Sequence, residues 1–161
     1  VSDIHSSLAN VVALIKVSNP KASIITTVSP VRHLKDGFVD NNLSKAHLIT
    51  AIHQVLSSES LLKTLFYFPS YEIMMDELRD YRFYKEDMIH PNNTAVSIIW
   101  EAFNKAWISS ETEPLQKAIL AIQSSLKHKP FNPNSEDHLL FIKDLEAKIS
   151  LIKKDVPHIK F

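Results

Sequence analysis

Two short apolar runs, ASIITTV at residues 22–28 and TLFYF at residues 64–68, constrain the fold more than anything else in the chain. Both are of strand length, rich in β-branched or aromatic side chains, and closed by proline, Pro30 after the first and Pro69 after the second. Between them Leu48, Ile52 and Val55 recur at helical spacing, which predicts a helix over 43–57. Strand, helix and strand joined by short connections make a βαβ unit, so the two strands are expected to be parallel with a right-handed crossover. Their apolarity is continuous rather than alternating, which predicts that both faces of the sheet are covered. The expected class is α/β.

The remaining segments are predicted helices and loops. Ile4, Leu8, Val11 and Ile15 predict a helix over 4–17, stopped at Asn19-Pro20. A loop is expected over 31–42, a short helix over 71–78, and a polar, aromatic loop over 79–88. A further helix is expected over 91–107, with Pro91 near its first position, where the missing N–H costs nothing. Leu115, Ile119, Ile122 and Leu126 mark one late helix, and Leu139, Ile142, Leu145, Ile149 and Ile152 another. The second is entered through Asn134-Ser135, with Glu136 and Asp137 complementing its dipole. With Pro130 and Pro133 between them, the two form a helical hairpin. The expected division is an α/β part over 1–108 and a hairpin extension over 109–161.

Composition removes several function classes. Lys plus Arg and Asp plus Glu are 18 each in 161 residues, so no positive stripe is present to neutralise phosphates, and no nucleic-acid partner is expected. No apolar stretch reaches about 18 residues, so no membrane span is expected. No leader is read at the start; the compartment stays open, with the cytoplasm favoured. Cysteine is absent, which excludes disulfides, cysteine zinc sites and thiol nucleophiles. Gly37 is the single glycine, where ordinary usage would give about eleven. Sites on α/β folds use glycine at tight strand-to-helix turns. With Val1 as the first residue, the expectation is a part of a larger domain whose glycine-bearing loops lie upstream.

The chemistry concentrates in Asp87-Met88-Ile89-His90-Pro91-Asn92. An aspartate three residues before a histidine can accept the imidazole Nδ1–H, leaving Nε2 as a general base toward a serine hydroxyl. The spacing alone is weak, because Asp155 and His158 repeat it in the charged C-terminal tail. Context favours Asp87 and His90, which follow the second strand and abut a helix start, where an open parallel sheet places its sites. The plainer alternative is that one of the two caps the next helix.

The stretch DMIHPN, residues 87–92, resembles the last block of SGNH, or GDSL-like, hydrolases. TTVSPVRHLKDGF (26–38), NNLSKAHL (41–48) and YFPSYEIMMDELRDYRFYKEDMIHP (67–91) are similar to the GSCFA family, a bacterial family within that superfamily, named for a Gly-Ser-Cys-Phe-Ala segment. The likeness covers roughly residues 4–107 and says little about the hairpin. It implies a flavodoxin-like three-layer sandwich, strand order 2-1-3-4-5, with these strands fourth and fifth. It implies His90 as general base and Asp87 as its orienting partner. The Gly-Ser-Cys-Phe-Ala segment, the nucleophile block and the oxyanion blocks are absent from the 161 residues, and the expectation is that they precede Val1.

Other residues carry weaker signals. Arg32, past the first strand's end, is a candidate for a substrate anion, against a plain surface role. Ser29 precedes proline without a glycine-rich elbow and is a poor nucleophile. Tyr71 and Glu72 read as loop architecture, with Glu72 capping or pairing with Arg79 or Arg82. Tyr81, Phe83 and Tyr84 read as packing, or as a pocket wall. His47 and His53 are six apart on a helix and face different ways, so no metal is expected alongside His33 and His90, and no cofactor. The expected function is the C-terminal part of a serine esterase or acyl hydrolase acting on an ester or acylated small molecule or carbohydrate, inactive by itself. The alternative is a non-catalytic α/β interaction module assembling through its hairpin. The unpaired edge of the first strand predicts a homo-oligomer.

Overall fold

The computed structural model describes residues 1–57 and 64–161. It is mixed α/β and mostly helical, with a small parallel sheet, and its contacts divide it into two compact units, Val1–Asn104 and Lys105–Phe161.

In the first unit, α1 (Ser2–Ser18) leads to β1 (Ile24–Thr26), α2 (Gly37–Leu56) and β2 (Leu65–Tyr67). The strands are parallel, with Ile24 opposite Leu65 and Thr26 opposite Tyr67. β1 is shorter than the seven-residue run because side chains take the backbone acceptors on either side. The Lys16 ammonium holds the Ala22 carbonyl, and the Ser70 hydroxyl donates to the Val28 carbonyl at 2.9 Å. One face of the sheet is closed by helices: Val12, Val55 and Leu65 are buried together, with Leu8, Ile24 and Leu56 packed around them. The other face is only half covered, since Ile25 lines an open cleft and is 38% exposed.

Helix α2 begins inside the expected loop 31–42. Phe38 and Val39 are exposed, so its first turn carries no buried apolar period to betray it. Gly37 ends a 3-10 turn, Leu34–Asp36, with φ 86° and ψ 168°, a region open essentially to glycine alone. No atom lies within 4 Å of where a Cβ would stand, so the requirement is conformational.

After β2 comes α3, a single turn, Ser70–Glu72, that runs on as a π turn, Ile73–Glu77. Then α4 (Asn93–Trp107) begins two residues later than expected. Its cap is Asn92, whose Oδ1 accepts the Ala95 amide at 3.1 Å, while Pro91 is buried and bridges Tyr84. A second buried cluster, Met74, Leu78, Tyr84 and Ala95, ties α3 and α4 to the loop between them.

In the second unit, α5 (Glu113–Leu126) and α6 (Glu136–Asp155) form the hairpin. Ile122, Leu145 and Ile152 are its core, and Ser135 caps α6 by accepting the His138 amide at 3.3 Å. Among the described residues no helix is long and apolar enough to cross a membrane.

Candidate active site

The loop before α4 folds as a small hairpin. The Asn92 amide donates to the Phe83 carbonyl at 2.9 Å and the Lys85 amide to the His90 carbonyl at 2.8 Å, around the Tyr84–Pro91 bridge. Its tip is residues 86–89, and Met88 turns there with φ 57°, in the left-handed region where a bulky side chain is uncommon.

This tip sets Asp87 against His90. One carboxylate oxygen, Oδ2, lies 2.8 Å from His90 Nδ1. The other, Oδ1, accepts the backbone amides of Ile89 at 2.8 Å and His90 at 2.9 Å. The His90 amide first, then the Ile89 amide and the imidazole, hold the Asp87 carboxyl down to about 2. An ionised carboxylate only accepts, so the proton of a neutral imidazole sits on Nδ1 and Nε2 keeps its lone pair. Among the described residues nothing hydrogen-bonds Nε2. The two side chains remain 50% and 43% exposed, His90 and Asp87 respectively. Neither caps α4, because Asn92 fills that position.

His90 lines a cleft of about 670 Å³ on the open face of the sheet. Ile25, Phe68, Val96, Trp100 and Phe103 give it apolar walls, and Thr27, Ser29, Ser70 and Lys85 give it polar points. The two serines that line the cleft are engaged in the scaffold. Ser70 Oγ donates to the Val28 carbonyl and is 2.6 Å from Thr27 Oγ1, and Ser29 Oγ accepts the Val31 amide at 3.2 Å.

Arg32, considered for a substrate anion, directs Nη1 to the Met88 carbonyl at 3.0 Å and Nη2 to the Tyr84 hydroxyl at 3.2 Å. Its guanidinium lies 4.4 Å from the Tyr84 ring centre. Glu72 pairs with neither Arg79 nor Arg82. Both its oxygens accept the Tyr67 hydroxyl, at 2.8 and 2.9 Å, and burial together with this bond pushes the Tyr67 phenol up. Arg79 pairs with Asp76 and Arg82 with Asp80. Tyr84 is buried, Tyr81 is exposed, and no three His, Cys, Asp or Glu converge on one point among the described residues. Asn41, Asn92 and the Tyr84 hydroxyl were missed by sequence reasoning; only Asn92, an N-cap residue type beside an expected helix start, left a usable signal.

Residues 1–103 match the sequence profile of the GSCFA family, and residues 119–161 match that of the GSCFA domain protein, C-terminal domain. No curated protein and no solved structure matches the chain.

Proposed function

The chain belongs to the GSCFA family, and from that membership and the geometry of Asp87 and His90 we propose that it supplies the general-base pair of a serine ester hydrolase of the SGNH kind. The observation that carries the reading is the double use of Asp87, one oxygen on His90 Nδ1 and the other on two backbone amides. That arrangement fixes tautomer and ring orientation together, which is what a base acting through Nε2 requires.

In this reading a serine hydroxyl outside residues 1–161 gives its proton to Nε2 as Oγ attacks an ester carbonyl. His90, then an imidazolium stabilised by Asp87, returns the proton to the leaving alkoxide. Water repeats the sequence to release the acid. The substrate is an ester or acylated small molecule or carbohydrate. Parallel β1 and β2, each followed on its carboxyl side by a site segment, support a flavodoxin-like sheet in which they are the fourth and fifth strands. The unpaired outer edge of β1, among the described residues, supports self-association.

The test is a family polypeptide that carries both the Gly-Ser-Cys-Phe-Ala segment and these residues. It should hydrolyse an activated ester and be labelled on serine by a fluorophosphonate, and His90→Ala should abolish both, whereas residues 1–161 alone show neither. Labelling that ignores His90→Ala would sink the reading.

A second reading has its own observation. Leu120, Leu140 and Leu151 of the hairpin are 63%, 65% and 62% exposed, outside its core. They favour assembly through α5 and α6, and a monodisperse monomer in sedimentation at micromolar concentration would count against it.

A further inference from the structure

The tip of the hairpin holds itself locally through exposed polar bonds, Asp87 Oδ1 with the Ile89 and His90 amides and the Lys85 carbonyl with the Met88 amide. Lys85, Glu86, Asp87, Met88 and His90 are exposed, so no core sets their conformation, and Met88 adds the cost of a left-handed backbone. In a free chain such a segment samples many conformations, few of which bring a carboxylate onto an imidazole. Exposed bonds of this kind each contribute little in water, and a contact made at a distance adds to the order at the tip.

We propose that Arg32, 56 residues away, is the positioning residue that holds this tip in the conformation where Asp87 reaches His90. Its guanidinium bridges the two ends of the same hairpin. Nη1 takes the carbonyl of strained Met88, and Nη2 takes the hydroxyl of Tyr84, whose ring is fixed in the cluster of Met74, Leu78 and Ala95. Stacking on that ring at 4.4 Å sets the plane of the fork. The Arg32 amide adds a longer bond, 3.4 Å, to the Ile89 carbonyl. Tip and base are therefore locked by one planar group with two donors in fixed relation, a task that a lysine ammonium does not match.

Arg32 is itself anchored. The next residue, His33, donates its amide to Asn41 Oδ1 at 2.8 Å, and Asn41 is buried in the first turns of α2. One turn on, Lys45 Nζ donates to the Ser29 carbonyl at 2.7 Å, and burial lowers its pKa. The exit of β1 is thus pinned to α2, and Arg32 carries that register to the site.

For its effect on catalysis the proposal rests on the hydrolase reading. Its structural content is tested on residues 1–161 by following the Asp87 carboxyl with carbon-13 NMR against pH. With Arg32 present the midpoint should lie at about 2. Arg32→Ala should move it toward the ordinary 3.8, and Arg32→Lys, which keeps the charge, should not restore it. Tyr84→Phe removes one acceptor and keeps the ring, so it should give a smaller shift in the same direction; it serves as the second variant if Arg32→Ala fails to fold. In a family polypeptide with the serine, Arg32→Ala should lower kcat by about 10–100-fold with KM little changed. An Asp87 midpoint untouched by both substitutions overturns the proposal, as does full rescue by lysine. Failure of the hydrolase reading shows differently, as absent His90-dependent turnover with the titrations as described.

Discussion

The chain spells Asp-x-x-His twice, at the tip of the loop before α4 and at the end of α6, and the two copies make a controlled comparison. At the tip, Asp87 meets His90 at 2.8 Å. At the tail, none of the ion pairs of the described residues joins Asp155 to His158. The residue two on from each aspartate explains much of the difference. Ile89 offers Asp87 an amide, whereas Pro157 has none to offer Asp155. Asp155 also closes a helix, where exposed carbonyls disfavour a carboxylate, and it has no counterpart of Arg32 or of the bridge at Tyr84 and Pro91. Spacing supplies the reach; the amides and the clamp supply the geometry.

The largest expected effect separates the copies by activity. In a family polypeptide with its serine, His90→Ala or Asp87→Asn should cost about 10²–10⁴-fold in kcat/KM, while His158→Ala and Asp155→Asn leave the rate within about twofold, as expected for residues outside a site. Equal losses at both copies would erase the distinction.

Ile89→Pro writes the tail's proline into the tip. It removes the amide that reaches Asp87 Oδ1 and disfavours the conformation of Met88 before it. The Asp87 carboxyl should rise from about 2 toward 3.8, read by carbon-13 NMR. The converse change, Pro157→Ala, restores an amide to the tail without a clamp, and His158 should gain no carboxylate partner.

Acid should dismantle the tip. Asp87 titrates lower in the folded chain than its ordinary 3.8, so the order it contributes is complete above that value and is lost as pH falls through about 2. The Ile89 and His90 amide resonances should move across that window. Unchanged amide shifts from pH 5 to pH 2 would contradict the bonds to Oδ1.

The smallest effect expected is that of Met88→Gly. Relief of the left-handed backbone and the greater freedom of the unfolded chain oppose each other, leaving stability within about 1 kcal/mol by thermal denaturation. A larger loss would assign the Met88 side chain a role beyond the turn.

What could be read from the chain follows the same division between local pattern and distant contact. β1 and β2 were legible as continuous apolar runs and α2 by a stripe that includes buried Val55, whereas in α1 it is Val12 that is buried and Val11, expected on the inner face, that is 50% exposed. The start of α2 was hidden, since Phe38 and Val39 face water and the turn is set by Gly37 and by Asn41 holding the His33 amide. The π turn at Ile73–Glu77 has no period of its own. Asp87 and His90 were visible as a spacing and a resemblance, but their separation from Asp155 and His158 lies in bonds from Ile89 and Arg32. The first is read only once the turn is known; the second crosses 56 residues.

The most direct measurement is the tautomer of each histidine in residues 1–161, by nitrogen-15 NMR at a pH where the imidazoles are neutral. His90 should carry its proton on Nδ1, with Nε2 showing the shift of an unprotonated nitrogen, and Asp87→Asn should abolish that preference. His158 should show the mixture of an unpartnered ring. A His90 protonated on Nε2, or a His90 indistinguishable from His158, would contradict the assignment of the pair as a prepared general base.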